Sequence, residues 1–255
     1  MNNKITKPIT NHYSVHGINN SFNLLSYNEN FLINKIFIDK SSKVHSNVKL
    51  INIIESKKYY TEHMDHNSFI KKYNYKHSQG IVIEFTGDLY SDLYSLNTSK
   101  DNMCIVIADQ LNDPQNLGQI LRTCECAGID GIILPQRRSI HLTDSVLQVS
   151  QGAFCNLNII VSKNIKYLIN ELKENDYWVI GIENSINSKN WYEIDMKGKV
   201  AFVFGSEGEG MRPLIRKYCD HMATIPMVGT INSLNISATV SAILFERNRQ
   251  ILKSK

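Results

Sequence analysis

Ile225-Pro226-Met227-Val228-Gly229-Thr230-Ile231-Asn232-Ser233-Leu234-Asn235-Ile236-Ser237 is the stretch around which the rest of the chain can be read. It starts as a short apolar strand and breaks at Pro226 and Gly229. A loop of small polar residues then presents Ser233 and Asn235. Apolar residues follow at helical spacing, at Ala238, Ala242 and Phe245. Asn235 or Ser237 suits the cap of that helix, because either side chain accepts from free N–H groups of a first turn. A loop pinned this way can offer its main chain to a polar small molecule. By itself the pattern also fits an ordinary strand–loop–helix connection, so its neighbours decide.

Upstream, from residue 102, short apolar runs alternate with helical patterns. The runs are Met103–Ala108, Gly131–Leu134, Asn158–Val161, Tyr177–Ile182, Lys199–Phe204 and Ala223–Ile225. Helices are expected at Leu117–Ala127, Asp144–Val149, Ile165–Asn175, Met211–Cys219 and Ser237–Leu252. Such alternation predicts an α/β fold with a mostly parallel sheet covered on both faces. Ligands of these sheets bind beyond the carboxyl ends of the strands.

Two loops stand at such ends. Asp109 to Thr123 follows the first run; in it Asp113 and Pro114 have the chemistry of an N-cap and a first helical position. Gln119 and Arg122 share a helix face, while Ile120, Leu121 and Cys124 can cover the core. A guanidinium near that helix's opening turns, with Asn116 close by, suits a phosphate or a ribose. A surface Arg paired with an acid is the plain alternative. Phe204-Gly205-Ser206-Glu207-Gly208-Glu209-Gly210-Met211 is the second loop. Its glycines allow close backbone approach or a sharp turn. The order is not G-x-G-x-x-G, and no Gly-Lys-Ser/Thr follows, which disfavours a dinucleotide-dependent oxidoreductase.

Composition narrows the class. The 255 residues are 42% apolar and 20% charged, as in globular proteins. No apolar run approaches the roughly 18 residues of a membrane span, and Met1–Thr6 lacks a signal-peptide core; a cytoplasmic protein is expected. The five cysteines include Cys124 and Cys126, whose spacing is neither a usual zinc nor a redox pattern; both read as buried thiols. His63-Met64-Asp65-His66 lacks companion ligands, so no metal is expected. Residues 1–80 carry eleven Lys against five acids, a charge of +6, and the remainder is −2. That asymmetry fits an RNA-docking part joined to a catalytic one, or simply a Lys-rich solvated surface. Residues 1–85 read as a small α/β domain with strands at Lys35–Asp39 and Gly80–Phe85. Helical stretches are expected from Ile18 to Leu25, at Val48–Ile54 and at Phe69–Tyr73. Residues 86–101 read as a linker and 102–255 as the second domain.

Taken together, the three loops resemble the TrmH-type branch of the SPOUT RNA methyltransferases. Its Asn-x-Gly-x-x-x-Arg motif stands here as Asn116-Leu117-Gly118-Gln119-Ile120-Leu121-Arg122. Phe-Gly-x-Glu-x-x-Gly stands as Phe204 to Gly210, and Ile-Pro-Met-x-Gly with Ser-Leu-Asn-Val-Ser as Ile225–Gly229 and Ser233–Ser237, with Ile236 for Val. The Ala-rich continuation is replaced by Ala238-Thr239-Val240-Ser241, a departure that could alter packing near a cofactor. The likeness covers residues 100–252 strongly. His16-Gly17-Ile18 and His77-Ser78-Gln79-Gly80 extend it more weakly to an L30e-like RNA-binding domain of the large-subunit (23S) rRNA guanosine-2′-O-methyltransferase group, Ser78 interrupting the usual His-Gln-Gly.

The resemblance implies a C-terminal trefoil knot, an exception to the rule against threaded loops. It also implies S-adenosylmethionine held largely by backbone groups, with Gly205, Ile225, Leu234, Gly229 and Met227 at the cofactor. Asn116, Arg122, Glu207, Ser233 and Asn235 take the catalytic or substrate-positioning roles. The substrate is a ribose 2′-hydroxyl of RNA, of rRNA or alternatively of tRNA. Family members are homodimers, and an apolar stripe on the last helix (Ile236, Val240, Ile243, Leu244) is expected to serve that contact. A non-catalytic RNA-binding protein is the further alternative, disfavoured by the intact motif residues.

Overall fold

In the first ninety residues the apolar runs are short, and they build a small sheet flanked by helices. A computed structural model describes residues 11–27, 30–73, 78–96, 100–184, 188–206 and 210–253. The elements here are β1 (His12–His16), α1 (Ile18–Ser26), β2 (Phe31–Asp39), α2 (Val48–Ser56), β3 (Thr61–Met64), α3 (His66–Lys72) and β4 (Ile81–Gly87). Strand order is β1-β4-β2-β3; β4 runs antiparallel to β1 and β2, and β2 is parallel to β3. Sequence pattern misses β1 and β3 because both are edge strands. Val15 is the one buried residue of β1, and β3 buries none fully.

Several residues singled out in the sequence are accounted for here. Asp65 caps α3 by accepting from Ser68 N, His63 stacks on His45, and His66 Nδ1 lies 2.7 Å from Asp39 Oδ2. The His-Met-Asp-His run is thus spent on local structure. Among the described residues no group of three or more His, Cys, Asp or Glu could hold a metal. Gln79 Oε1 accepts from Ile18 N at 2.8 Å and Gly17 N donates to Ile81 O, so the two weak N-terminal marks meet. Lys72 Nζ lies 3.8 Å from the Phe37 ring centroid. Lys76 and His77 lie outside the described residues.

Contacts divide the chain into two compact units, Met1–Leu89 and Tyr90–Lys255. Thr86 and Gly87 complete β4. Beyond the division, Ser91 N donates to Ile159 O, Tyr90 Oη accepts from Leu142 N, and Leu96 enters the core of the second unit.

The second unit contains β5 (Met103–Ala108), α4 (Pro114–Cys126), β6 (Gly131–Pro135), α5 (Asp144–Ser150), β7 (Asn158–Ser162), α6 (Ile165–Glu174), β8 (Trp178–Ile182), β9 (Lys189–Asn190), β10 (Lys199–Phe204), α7 (Pro213–Arg216), β11 (His221–Thr224) and α8 (Ile236–Lys253). Its seven strands are ordered β7-β6-β5-β10-β8-β11-β9, each parallel to its neighbours. Ile105, Ile107, Ile133, Val179, Ala201 and Val203 belong to one buried cluster. At Gly118 a Cβ would come 2.5 Å from Val149 Cβ, so the first motif's glycine permits close approach of α4 and α5.

Three expectations need correction. Met211–Cys219 forms only one helical turn, because Met211 N donates to Glu183 Oε1 and the helix starts at Pro213. Cys124 is buried but Cys126 is exposed; burial pushes the Cys104 thiol up to about 12 and Cys124 upward too. The stripe Ile236, Val240, Ile243 and Leu244 is buried within its own chain, so it is core and leaves nothing for a second subunit. α8 exposes Phe245 and Leu252 instead. Among the described residues, no helix is long and apolar enough to cross a membrane.

Candidate active site

The parallel register brings the carboxyl ends of β8 and β10 side by side, with Ile182 opposite Phe204. Just beyond them a cavity of about 640 Å³ opens. Ile182, Phe204, Ile225, Leu234 and Ile236 give it apolar walls, while Glu183, Asn184, Ser206, Asn232, Ser233 and Asn235 supply polar groups. Among the described residues no Lys or Arg lines it, and Glu183 is its one lining carboxylate.

Local backbone fixes that shape. Ser206 N donates to Gly210 O and Gly210 N to Ser206 O, closing a turn at the end of β10. A Cβ on Gly205 would overlap the backbone of Gly210 and Met211, so only glycine fits. Glu183 follows β8; its Oε1 accepts from Met211 N at 3.1 Å and its other oxygen pairs with Arg216. Asn184 Nδ2 donates to Asn232 O at 3.0 Å and its Oδ1 accepts from Thr224 Oγ1 at 3.3 Å, tying β8 to the loop after β11. Asp109, fully buried, accepts from Arg212 Nε at 2.9 Å and Arg212 Nη2 at 2.5 Å, anchoring the chain that leaves the glycine turn.

Asn235 joins the first motif to the last. Its Oδ1 accepts from Ser237 N at 2.9 Å, the N-cap arrangement expected of Asn235 or Ser237. Its Nδ2 donates to Asn116 Oδ1 at 3.0 Å. One helical turn further on, the Ser237 hydroxyl lies 2.7 Å from Gln119 Oε1, and Thr123 meets Ser241 at 3.1 Å. A polar seam therefore runs between α4 and α8. Ser241, part of the departure from the Ala-rich pattern, is a member of that seam and also donates to Ser237 O; Thr239 lines the cavity.

Most sequence-selected residues gather here. Gly205, Ile225, Met227, Leu234, Ser233 and Asn235 line the cavity. Asn116 is buried at its edge, held by Asn235. Gly229 does not line it and has open space about its Cα. Arg122 also lies outside it: the residue is exposed and makes no ion pair or hydrogen bond among the described residues. Six positions on from Asn116, it stands about a third of a turn round the helix axis from it. Glu207 falls outside the described residues. Glu183 and Asn184 were missed in the sequence. Both stand at a strand end without a motif around them, and only the pairing of β8 with β10 and β11 brings them in.

Comparison with known proteins gives one consistent answer. The family model of the SpoU rRNA Methylase family matches residues 103–245. A Staphylococcus saprophyticus protein assigned to the TrmH family of tRNA/rRNA methyltransferases is 34% identical over 229 residues, covering 88% of this chain and 91% of the relative. Among solved structures, an AdoMet-bound rRNA methyltransferase from Sinorhizobium meliloti superposes with a TM-score of 0.78 at 20% identity, covering 94% of this chain and 88% of that one. An RNA 2′-O ribose methyltransferase superposes at 0.79 with 19% identity, over 94% and 89% of the two chains.

Proposed function

The chain belongs to the SpoU rRNA Methylase family, and from that premise we propose that it methylates a ribose 2′-hydroxyl of RNA with S-adenosylmethionine, a guanosine of large-subunit rRNA being the target. The observation that carries the reading is the cavity beyond β8 and β10, walled by the glycine turn and the Ile225–Ile236 loop and locked to the first motif by the Asn116–Asn235 hydrogen bond.

Its chemistry fits the cofactor. A lining that among the described residues has one carboxylate and no Lys or Arg suits a sulfonium cation, which a basic site would repel. The apolar walls suit an adenine ring. When bound, the cofactor supplies a methyl on sulfur whose departure leaves a neutral thioether, so no general acid is required. The work left to the protein is to orient the ribose and to ease loss of the hydroxyl proton. Asn116 and Ser233 orient the ribose, and in-line placement supplies much of the rate. The Arg122 guanidinium serves as a cation rather than a base; it holds the adjacent phosphate and stabilises negative charge developing on the oxygen. Glu207 orients Arg122 or accepts the proton through water.

Arg122 can do this only if it reaches a reacting centre that its own cavity does not include. A homodimer supplies the missing geometry, with Arg122 of one protomer facing the site of its partner. The first unit, an L30e-like domain spanning residues 1–85 in this reading, docks the RNA through its excess of lysines.

Purified protein with methyl-labelled cofactor and RNA from cells lacking the gene tests the assignment. Label is expected in nucleotides that resist alkaline hydrolysis, since a blocked 2′-hydroxyl cannot attack its phosphate. Label in alkali-sensitive nucleotides would place the methyl on a base and refute the reading; a label confined to tRNA would correct the target alone.

A further inference from the structure

Beside the cofactor cavity, beyond the ends of β5 and β6, lies a second cavity of about 570 Å³. Gln110, Asn112, Asp113, Asn116, Arg138 and Ser206 line it. Ser206 lines both cavities, and Asn116 carries the hydrogen bond to Asn235 on the other side. The two spaces are therefore neighbours, and the centre where they meet is Ser206.

The walls are built rather than incidental. Ile140 N donates to Leu111 O at 2.6 Å and Ser139 Oγ to the same oxygen at 3.2 Å, so the loops after β5 and β6 are stapled together. Leu142 N donates to Tyr90 Oη at 3.0 Å, which fixes the far end of the second loop. Both loops hold a side chain on a left-handed backbone, Gln110 at φ 64° and Arg138 at φ 58°. Such a conformation costs a non-glycine residue of order 1 kcal/mol or more. Arg138 is exposed at the cavity and makes no ion pair or hydrogen bond among the described residues. The lining acid, Asp113, is occupied in part by capping α4, accepting from Gln115 N at 2.9 Å. Among the described residues this cavity thus presents an exposed cation with no protein partner, whereas no Lys or Arg lines the adjoining one.

The geometry points to a subsite for a single unstacked nucleotide of the RNA substrate, with a flanking phosphate on the Arg138 guanidinium and the ribose at the Ser206 side, facing the cofactor. A guanidinium takes phosphate bidentately, which positions as well as attracts. The side chains of Gln110 and Asn112 offer both donors and acceptors to a base edge. Because a paired base would have to be extruded at a cost of a few kcal/mol, single-stranded or loop RNA is preferred. This inference rests on the reading that the chain methylates RNA ribose, and its test separates the two.

Steady-state methylation and equilibrium RNA binding are compared for the wild type, Arg138→Ala, Arg138→Lys and a charge-matched control on α6, Lys166→Ala. The RNA is total RNA from cells lacking the gene, and binding is measured with the protein saturated with S-adenosylhomocysteine. Arg138→Ala is expected to raise KM for RNA about tenfold or more and to change kcat by no more than a few-fold. It should lower the slope of log affinity against log salt by about one and leave cofactor affinity unchanged. Arg138→Lys, which keeps the charge without the fork, should fall between. Unchanged KM, affinity and salt slope in Arg138→Ala overturn the subsite, as does an equal loss in Lys166→Ala. If the wild type methylates no RNA, the ribose-methylation reading fails, and the binding arm still decides the subsite: a loss confined to Arg138→Ala supports it and no loss overturns it.

Discussion

The two compact units wear their charge differently. Met1–Leu89 carries a +4 excess while Tyr90–Lys255 is neutral, yet among the described residues the second unit's first cavity has one lining carboxylate, Glu183, and its neighbour one lining Arg beside Asp113. In the first unit, most described lysines, such as Lys40, Lys49, Lys58 and Lys71, are exposed, and Lys35 and Lys72 lie on aromatic rings. In the second, charge is placed one group at a time where strands end. Diffuse charge gives affinity for any phosphate backbone; single fixed charges give position. The difference teaches that docking and chemistry are separable here, and each prediction below perturbs one without the other.

Arg122→Ala should have the largest effect. Removing a charge proposed to hold the adjacent phosphate and stabilise the developing oxyanion should lower turnover by about 10²–10³-fold, roughly 3–4 kcal/mol, with the melting temperature unchanged. Measured turnover within a few-fold of wild type would remove Arg122 from the chemistry. Asn235→Ala cuts both the cap of α8 and the bridge to Asn116, and should cost about 2 kcal/mol in denaturant unfolding of the second unit; a loss under about 0.5 kcal/mol would mean that the seam between α4 and α8 stands without it.

Deleting residues 1–98 attacks the comparison from the other side. RNA affinity should weaken at least ~10-fold, about 1.4 kcal/mol, with a flatter salt dependence. Unchanged affinity and slope would show that the first unit does not dock RNA. Within that unit, burial raises the Asp39 carboxyl, but the hydrogen bonds from His66 and Ser41 outweigh it and hold the group below the usual carboxylate range. A depressed folded value stabilises the fold above the unfolded value, near 3.9, and that contribution is lost as pH falls through the folded one. Asp39→Asn should therefore cost roughly 1–2 kcal/mol at neutral pH and progressively less below about pH 4; a pH-independent loss would assign the effect to packing. Lys71→Ala should bring the smallest change, a salt slope lower by about one if Lys71 touches a phosphate.

What could be read from sequence follows the same division. Strands of the second unit are covered on both faces, so Met103–Ala108 and Lys199–Phe204 show as unbroken apolar runs with their observed bounds. The edge strands β1, β3 and the two-residue β9 bury one residue or none and show no such run, whereas the edge strand β7 buries Ile159 and Ile160 and is legible. The site was legible where several residues share one loop, as Ile225 to Asn235 do. Glu183 and Arg138 are lone side chains whose neighbours come from distant chain, and register alone places them. Gly229 shows the opposite limit: its motif spacing was right, and its main chain stands clear of the cavity.

Isothermal titration of S-adenosylmethionine into the wild type, Gly205→Ala and Arg122→Ala proteins tests the central assignment most directly. A Cβ at Gly205 must displace the backbone of Gly210 and Met211, whereas Arg122 lies outside the cavity. The account predicts that Gly205→Ala loses cofactor binding and that Arg122→Ala binds within a few-fold of wild type. Retained binding in Gly205→Ala together with its loss in Arg122→Ala would contradict the placement of the cofactor.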